Sequence, residues 1–295
     1  IAANPLGASR GGIIGMSDGV RQSVMDFETA ARLVAAGLPD ISTAPGDRFY
    51  FGVSNGGRIG GLLMAVSKQL TVGVLNVPPT DNHGPLTDVW RPLWTGALAA
   101  TVPPLANAPH PEWGGFNEAI PWRGAAVQQG LPDGADAIQT YIDRFRWASM
   151  PGNPAVYAPL YAAAGKKVLV QIGRGDPLVM NPGSADLVRE GDLAQTTCLV
   201  RPERSSWSTQ LGAAWRSLIH VFAFIPDSVP GFHPGVIGDG ARRQLTDWYL
   251  SRGTTVTDPD PDGDLFGKGD VFEVPLSDES LEELTRSLGY EPAEL

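Results

Sequence analysis

Asp47-Arg48-Phe49-Tyr50-Phe51-Gly52-Val53-Ser54-Asn55-Gly56-Gly57 is the stretch whose reading decides the fold. Residues 47–52, with the aromatic run Phe49-Tyr50-Phe51, predict a short buried strand, and residues 55–66, with Gly56, Gly57, Gly60 and Gly61 on their early turns, predict a helix. Between the two lies G-x-S-x-G. A strand that turns sharply into a helix lifts the Ser54 hydroxyl off the strand end, where it can act as a nucleophile. Small residues at Gly52 and Gly56 are expected to keep bulk out of the tight turn. The N–H of Asn55 would face an oxyanion forming beside Ser54, and the helix N-terminus adds a favourable field. The plainer alternative is a serine that caps its helix, and 36 glycines make chance matches to the pattern easy.

Working outward, an apolar stripe of Val20, Val24, Phe27, Ala31 and Val34 predicts a helix over 17–37, capped by Ser17 or Asp18 and ended by Gly37. Strands are expected over 70–77, 167–172 and 196–200, and helices over 185–193, 239–250 and 278–288. Strands alternating with helices make this an α/β chain with a mostly parallel sheet and helices on both faces. Four segments follow. Residues 1–80 carry the candidate nucleophile. Residues 81–164 read as an inserted lid or cap with Trp90, Trp94, Trp113, Trp122 and Trp147 and a helical piece over 136–145. Residues 165–253 carry the remaining core, and residues 254–295 form an acidic tail. The tryptophans, with His83, would line a substrate cleft under the lid, or else fill a second small core.

Bulk properties narrow the function classes. A net charge of −10 with no Lys/Arg cluster argues against nucleic acid as a partner. No run of 18 apolar residues is present, so no membrane-spanning segment is expected. The single cysteine, Cys198, sits in an apolar run and reads as a buried thiol with no disulfide partner in the chain. Carboxylates at Asp258, Asp260, Asp262 and Asp264 resemble the start of a calcium loop. The glutamate expected at the twelfth position is Gly269, however, which leaves an acidic turn as the alternative.

A serine nucleophile requires a base, and the base an orienting acid. Asp176 follows a strand in Gly173-Arg174-Gly175-Asp176, where such sites assemble; a surface aspartate paired with Arg174 is the alternative. Four histidines could serve as base. His83 and His110 precede Asp176, against the usual chain order of nucleophile, acid and base. His220 and His233 satisfy that order, and spacing does not choose between them. An ordinary core histidine at 220 and a surface histidine at 233 are the alternatives.

Several segments resemble the large bacterial exported lipase- and esterase-like α/β-hydrolases. They are Gly11–Ser23, Phe49–Gly57, Pro154–Pro159, Val168–Gln171 with Gly175-Asp176, Gly191–Ala194 and Phe272–Pro275, spread over most of the chain. The resemblance implies an α/β-hydrolase-type sheet with a lid insertion and a location outside the cell or in its envelope. In that family the histidine of a His-x-Phe segment is the base. His220-Val221-Phe222 matches, with Ile219 in place of the usual preceding proline, so the resemblance ranks His220 first and His233 second. Such folds place several strands before the nucleophile strand. Only 51 residues precede Gly52, and they hold no clear strand or first oxyanion donor. The early strands are therefore expected from an N-terminal segment of the same protein, as a separate or cleaved chain; a different topology is the alternative.

The expected activity is hydrolysis of a small or polymeric carboxylic ester by Ser54, His220 and Asp176 through an acyl-enzyme, with no cofactor. An amidase or peptidase of the same fold would use the same groups. A non-catalytic binding or assembly module on this scaffold is the alternative from another class. Metal-dependent hydrolysis lacks any His/Asp cluster at ligand spacing.

Overall fold

Runs such as Val72-Gly73-Val74-Leu75-Asn76 and Lys167–Gly173 hold almost no exposed residue, the pattern of strands covered on both faces. They form the centre of a five-stranded sheet in the computed structural model, which describes residues 10–37, 48–80, 147–176, 178–204, 219–220, 222–224, 235–262 and 271–286. The strands are β1 (Phe49–Val53), β2 (Val72–Asn76), β3 (Lys167–Gly173), β4 (Thr197–Val200) and β5 (Phe272–Glu273), and they lie in that order across the sheet. The first four are parallel and β5 is antiparallel to β4. The architecture is thus α/β with a mostly parallel, mixed sheet.

Helices cover both faces. In a strand, successive side chains alternate between faces. The helix α2 (Asn55–Val66) presses Met64 onto Gly73, while the helix α6 (Gly235–Leu250) packs Trp248 against Val72, Val74 and Leu169 on the other face. Trp248 Nε1 also donates to Gly73 O at 3.2 Å. Burying each such large apolar side chain contributes about 1.5–3 kcal/mol. The remaining helices are α1 (Arg10–Ala36), α3 (Pro154–Tyr157), α4 (Leu160–Ala163), α5 (Asn181–Glu190) and α7 (Asp278–Arg286).

The described residues belong to two compact units, Ile1–Val20 with Asp81–Gly152 and Arg21–Thr80 with Asn153–Leu295. This division differs from the segments expected from sequence. Residues 153–163 go with the sheet, because Tyr161 donates its hydroxyl proton to Gly61 O at 2.8 Å and Pro154 packs on Gly61. The C-terminal segment is also part of the sheet unit, through β5 and α7. In the other unit, Ser17 Oγ donates to Ala148 O at 3.1 Å, and Trp147 is 79 % exposed, so it fills no core. The expected helix over 136–145 and Trp90, Trp94, Trp113 and Trp122 lie outside the described residues.

Helix α1 begins at Arg10, so Ser17 and Asp18 are interior residues and not its caps. Gly37 ends it as expected, at φ 90°. The apolar stripe is narrower than its spacing predicts: Val20 and Val24 are buried, but Phe27 is 47 % exposed and meets the Tyr50 ring edge-on at 6.1 Å. Among the described residues, no helix is long and apolar enough to cross a membrane.

Candidate active site

The turn between β1 and α2 is held in an uncommon conformation. Ser54 has φ 53° and ψ −122°, a region that costs a non-glycine residue about 1–3 kcal/mol. Its backbone is anchored on both sides: Ser54 N donates to Asn76 O at 2.9 Å, and Arg58 N donates to Ser54 O at 3.0 Å. Ser54 occupies the N-cap position of α2 without a side-chain cap hydrogen bond, so the hydroxyl is not spent on capping. The glycines divide. A Cβ on Gly52 would lie 2.3 Å from Gly56 O, so only glycine fits there. A Cβ on Gly56 would meet nothing within 4 Å, which corrects the expectation that both flanking glycines relieve crowding. The carbonyl of Gly56 instead accepts the Tyr50 hydroxyl at 2.7 Å. Gly57 is the second tight position, with Asn76 O and Pro78 Cα each 3.1 Å from its would-be Cβ. Asn55 is the exposed first residue of α2, where backbone N–H groups have no partner within the helix.

Asp176 lies three residues beyond β3 and is 2 % exposed, so it is not a surface aspartate. Its Oδ1 accepts from Leu178 N at 2.8 Å and Val179 N at 3.0 Å. Its Oδ2 accepts from His220 Nδ1 at 2.8 Å, across 44 residues of chain. Arg174 reaches Glu283 at 2.6 Å and Glu203 at 3.4 Å. The turn itself is stapled by Asn181: its Oδ1 accepts from Gly175 N and its Nδ2 donates to Gly173 O, both at 2.8 Å. Gly175 sits at φ 75°, which favours glycine.

Packing of the Ile219 side chain on β3 seats the histidine as well. Ile219 lies so close to β3 that a Cβ on Gly173 would come within 2.6 Å of its Cγ1. Ile219 belongs to a buried cluster with Val77, Cys198, Val200 and Phe222, and Val53 packs against the same cluster. The residues beside Ser54 and His220 therefore share one core at the carboxyl ends of the strands. Register supports this: Val53 is level with Asn76, and Asn76 with Gln171. Since neighbouring strands lie about 4.8 Å apart, β1 and β3 are separated by about 10 Å.

The described residues thus bring Asp176 and His220 into direct contact and put the Ser54 turn at the same end of the sheet. His233, His83 and His110, with Trp90 and Trp94, lie outside the described residues. Among the described residues, no group of three or more His, Cys, Asp or Glu is placed to hold a metal ion. In the acidic run, Asp258 Oδ1 accepts from Asp260 N at 2.9 Å, a local turn contact, and Asp262 is exposed.

Sequence reasoning overlooked three supporting features. One is Asn181: the Asn181-Pro182 pair marks the true start of α5, four residues before the expected start, since proline favours the first helical turn. Another is a buried amide ladder on the α6 face. Asn76 Nδ2 donates to Gln171 Oε1 at 2.9 Å, Gln171 Nε2 to Gln244 Oε1 at 3.0 Å, and Gln244 Nε2 to Thr257 O at 2.8 Å. Single amides inside otherwise apolar strands were its visible signal. The third is the cluster around Arg201, for which no local pattern exists. Compared with protein-family models, with curated proteins and with solved structures, the chain finds no match in any of the three.

Proposed function

We propose that this chain is a serine hydrolase of carboxylic esters, built on an α/β-hydrolase-type sheet with a lid insertion. The observation that carries the proposal is the buried 2.8 Å hydrogen bond between His220 and Asp176, at the sheet end where the strained Ser54 turn sits. A carboxylate accepting from Nδ1–H fixes the imidazole tautomer and leaves Nε2 as a proton acceptor.

In the proposed reaction Ser54 Oγ attacks the ester carbonyl carbon while His220 Nε2 takes the hydroxyl proton. The Asn55 N–H donates to the resulting oxyanion, helped by the field of α2. The carbon–oxygen bond to the alcohol then breaks, and His220 returns the proton to the departing oxygen. Asp176 stabilises the imidazolium that exists between those two transfers. A water molecule, deprotonated by His220, attacks the acyl-enzyme, releases the carboxylic acid and restores Ser54. No step requires a metal or an organic cofactor.

Covalent labelling with a fluorophosphonate tests the reading. The expected result is one label per chain on Ser54, absent from Ser54→Ala and strongly slowed in His220→Ala. A folded wild-type protein that takes no label and hydrolyses no activated ester would sink the proposal.

A further inference from the structure

Two arginines and three carboxylates join the C-terminal helix α7 to the turn that carries Asp176. Arg201, at the end of β4, has a side chain only 8 % exposed. It contacts Glu273 at 2.7 Å, Glu283 at 2.9 Å and Glu203 at 3.3 Å, and donates to Ser280 Oγ at 2.6 Å. Glu283 divides its oxygens: Oε2 takes Arg201, and Oε1 takes Arg174 Nε at 2.6 Å. Glu203 likewise touches both arginines. Arg174 stands two residues before Asp176, in a segment with a glycine on either side. The backbone of that segment has little intrinsic stiffness. Its own turn closure, Asp176 N to Gly173 O, is long at 3.4 Å. Arg174 N ties its start to β4, donating to Val200 O at 2.9 Å. Beyond that point side chains hold it: Asn181 from α5, Asp176 on Leu178 N and Val179 N, and Arg174 reaching out to Glu283 and Glu203.

We infer that Glu283 is a positioning residue, which acts through Arg174 to keep the Asp176 carboxylate on His220. The inference rests on the hydrolase reading for its kinetic consequence but not for its structural one. Isolated exposed ion pairs contribute little. This one belongs to a network whose central guanidinium is buried, and a planar guanidinium gripping a carboxylate restricts direction as well as distance. A misplacement of about 1 Å at a distance from the chemistry can cost about 10²-fold in rate, so a loosened turn that still visits its native position should cost roughly tenfold.

The test uses Glu283→Gln in the full chain. The amide keeps the shape but turns an N–H toward one of the two arginines. The first readout is the hydrogen-bonded Nδ1 proton of His220, followed by proton NMR with labelled histidine. The second is the split between kcat and KM on an activated ester. The inference expects the Nδ1 resonance to broaden or move upfield, and kcat to fall roughly tenfold with KM nearly unchanged. Glu279→Gln, exposed on the same helix, should leave both readouts as in wild type. A folded Glu283→Gln protein with an unaltered resonance and unaltered kcat overturns the inference. If that variant fails to fold, Arg174→Gln removes the same link from the other end and is read identically. If wild type takes no fluorophosphonate but Glu283→Gln still disturbs the Nδ1 resonance, the positioning role stands and the hydrolase reading falls.

Discussion

Replacing Asp176 by asparagine changes one atom of the site and reverses one hydrogen bond. The Oδ1 position already accepts two backbone N–H groups, from Leu178 at 2.8 Å and Val179 at 3.0 Å. An asparagine must keep its oxygen there, because turning the amide would set its NH2 against both donors. The NH2 group then takes the place of Oδ2, 2.8 Å from His220 Nδ1. Two donors cannot face each other at that distance, so Nδ1 must become the acceptor and the proton must move to Nε2. An imidazole with its proton on Nε2 cannot take one from Ser54. In a working triad this exchange lowers kcat by about 10⁴-fold. At 1.36 kcal/mol per tenfold, that is about 5 kcal/mol of transition-state stabilisation. The stability cost should be smaller, about 1.5–3 kcal/mol for one charge-assisted hydrogen bond. Steady-state hydrolysis of p-nitrophenyl acetate, beside urea unfolding of the same samples, separates the two quantities. A folded Asp176→Asn protein retaining more than a tenth of wild-type kcat would refute the tautomer argument.

Three further outcomes are expected. Gly52→Ala places a methyl group 2.3 Å from Gly56 O and should destabilise by about 1–3 kcal/mol or more, whereas Gly56→Ala meets open space; urea midpoints compare the pair directly. Burial pushes the Glu273 carboxyl up, but hydrogen bonds from Ser280, Arg201 and Ser277 outweigh it and hold the group down at about 2. A depressed carboxyl adds stability above its unfolded value of 4.5, lost progressively as the pH falls toward about 2. Acid unfolding followed by circular dichroism should therefore be less steep over that window in Glu273→Gln. Burial pushes the Cys198 thiol up to about 12, so the native protein should resist a maleimide at neutral pH and react only after unfolding. Rapid native labelling would show that β4 opens.

What the sequence determined by itself is the part of the protein that local chemistry specifies. An apolar run meeting a glycine-rich helix at Ser54 is enough to place a strand, a tight turn and a helix, because backbone sterics and side-chain periodicity act over a few residues. The same holds for β2, β3 and β4 and for Asp176 at a strand end. The short β5 escaped, since two residues carry no periodicity and its pairing with β4 draws on a segment 72 residues away. Chain order left His220 and His233 both open as the base. Only the tertiary contact that buries Asp176 against His220 seats one of them on the acid. Gly52 and Gly56 look alike in the motif, yet the turn crowds one and leaves the other free. The link from Glu283 to Arg174 spans 109 residues and leaves no local trace. Distances of that kind are set by how layers of the sheet and its helices pack, and packing is a property of the whole core.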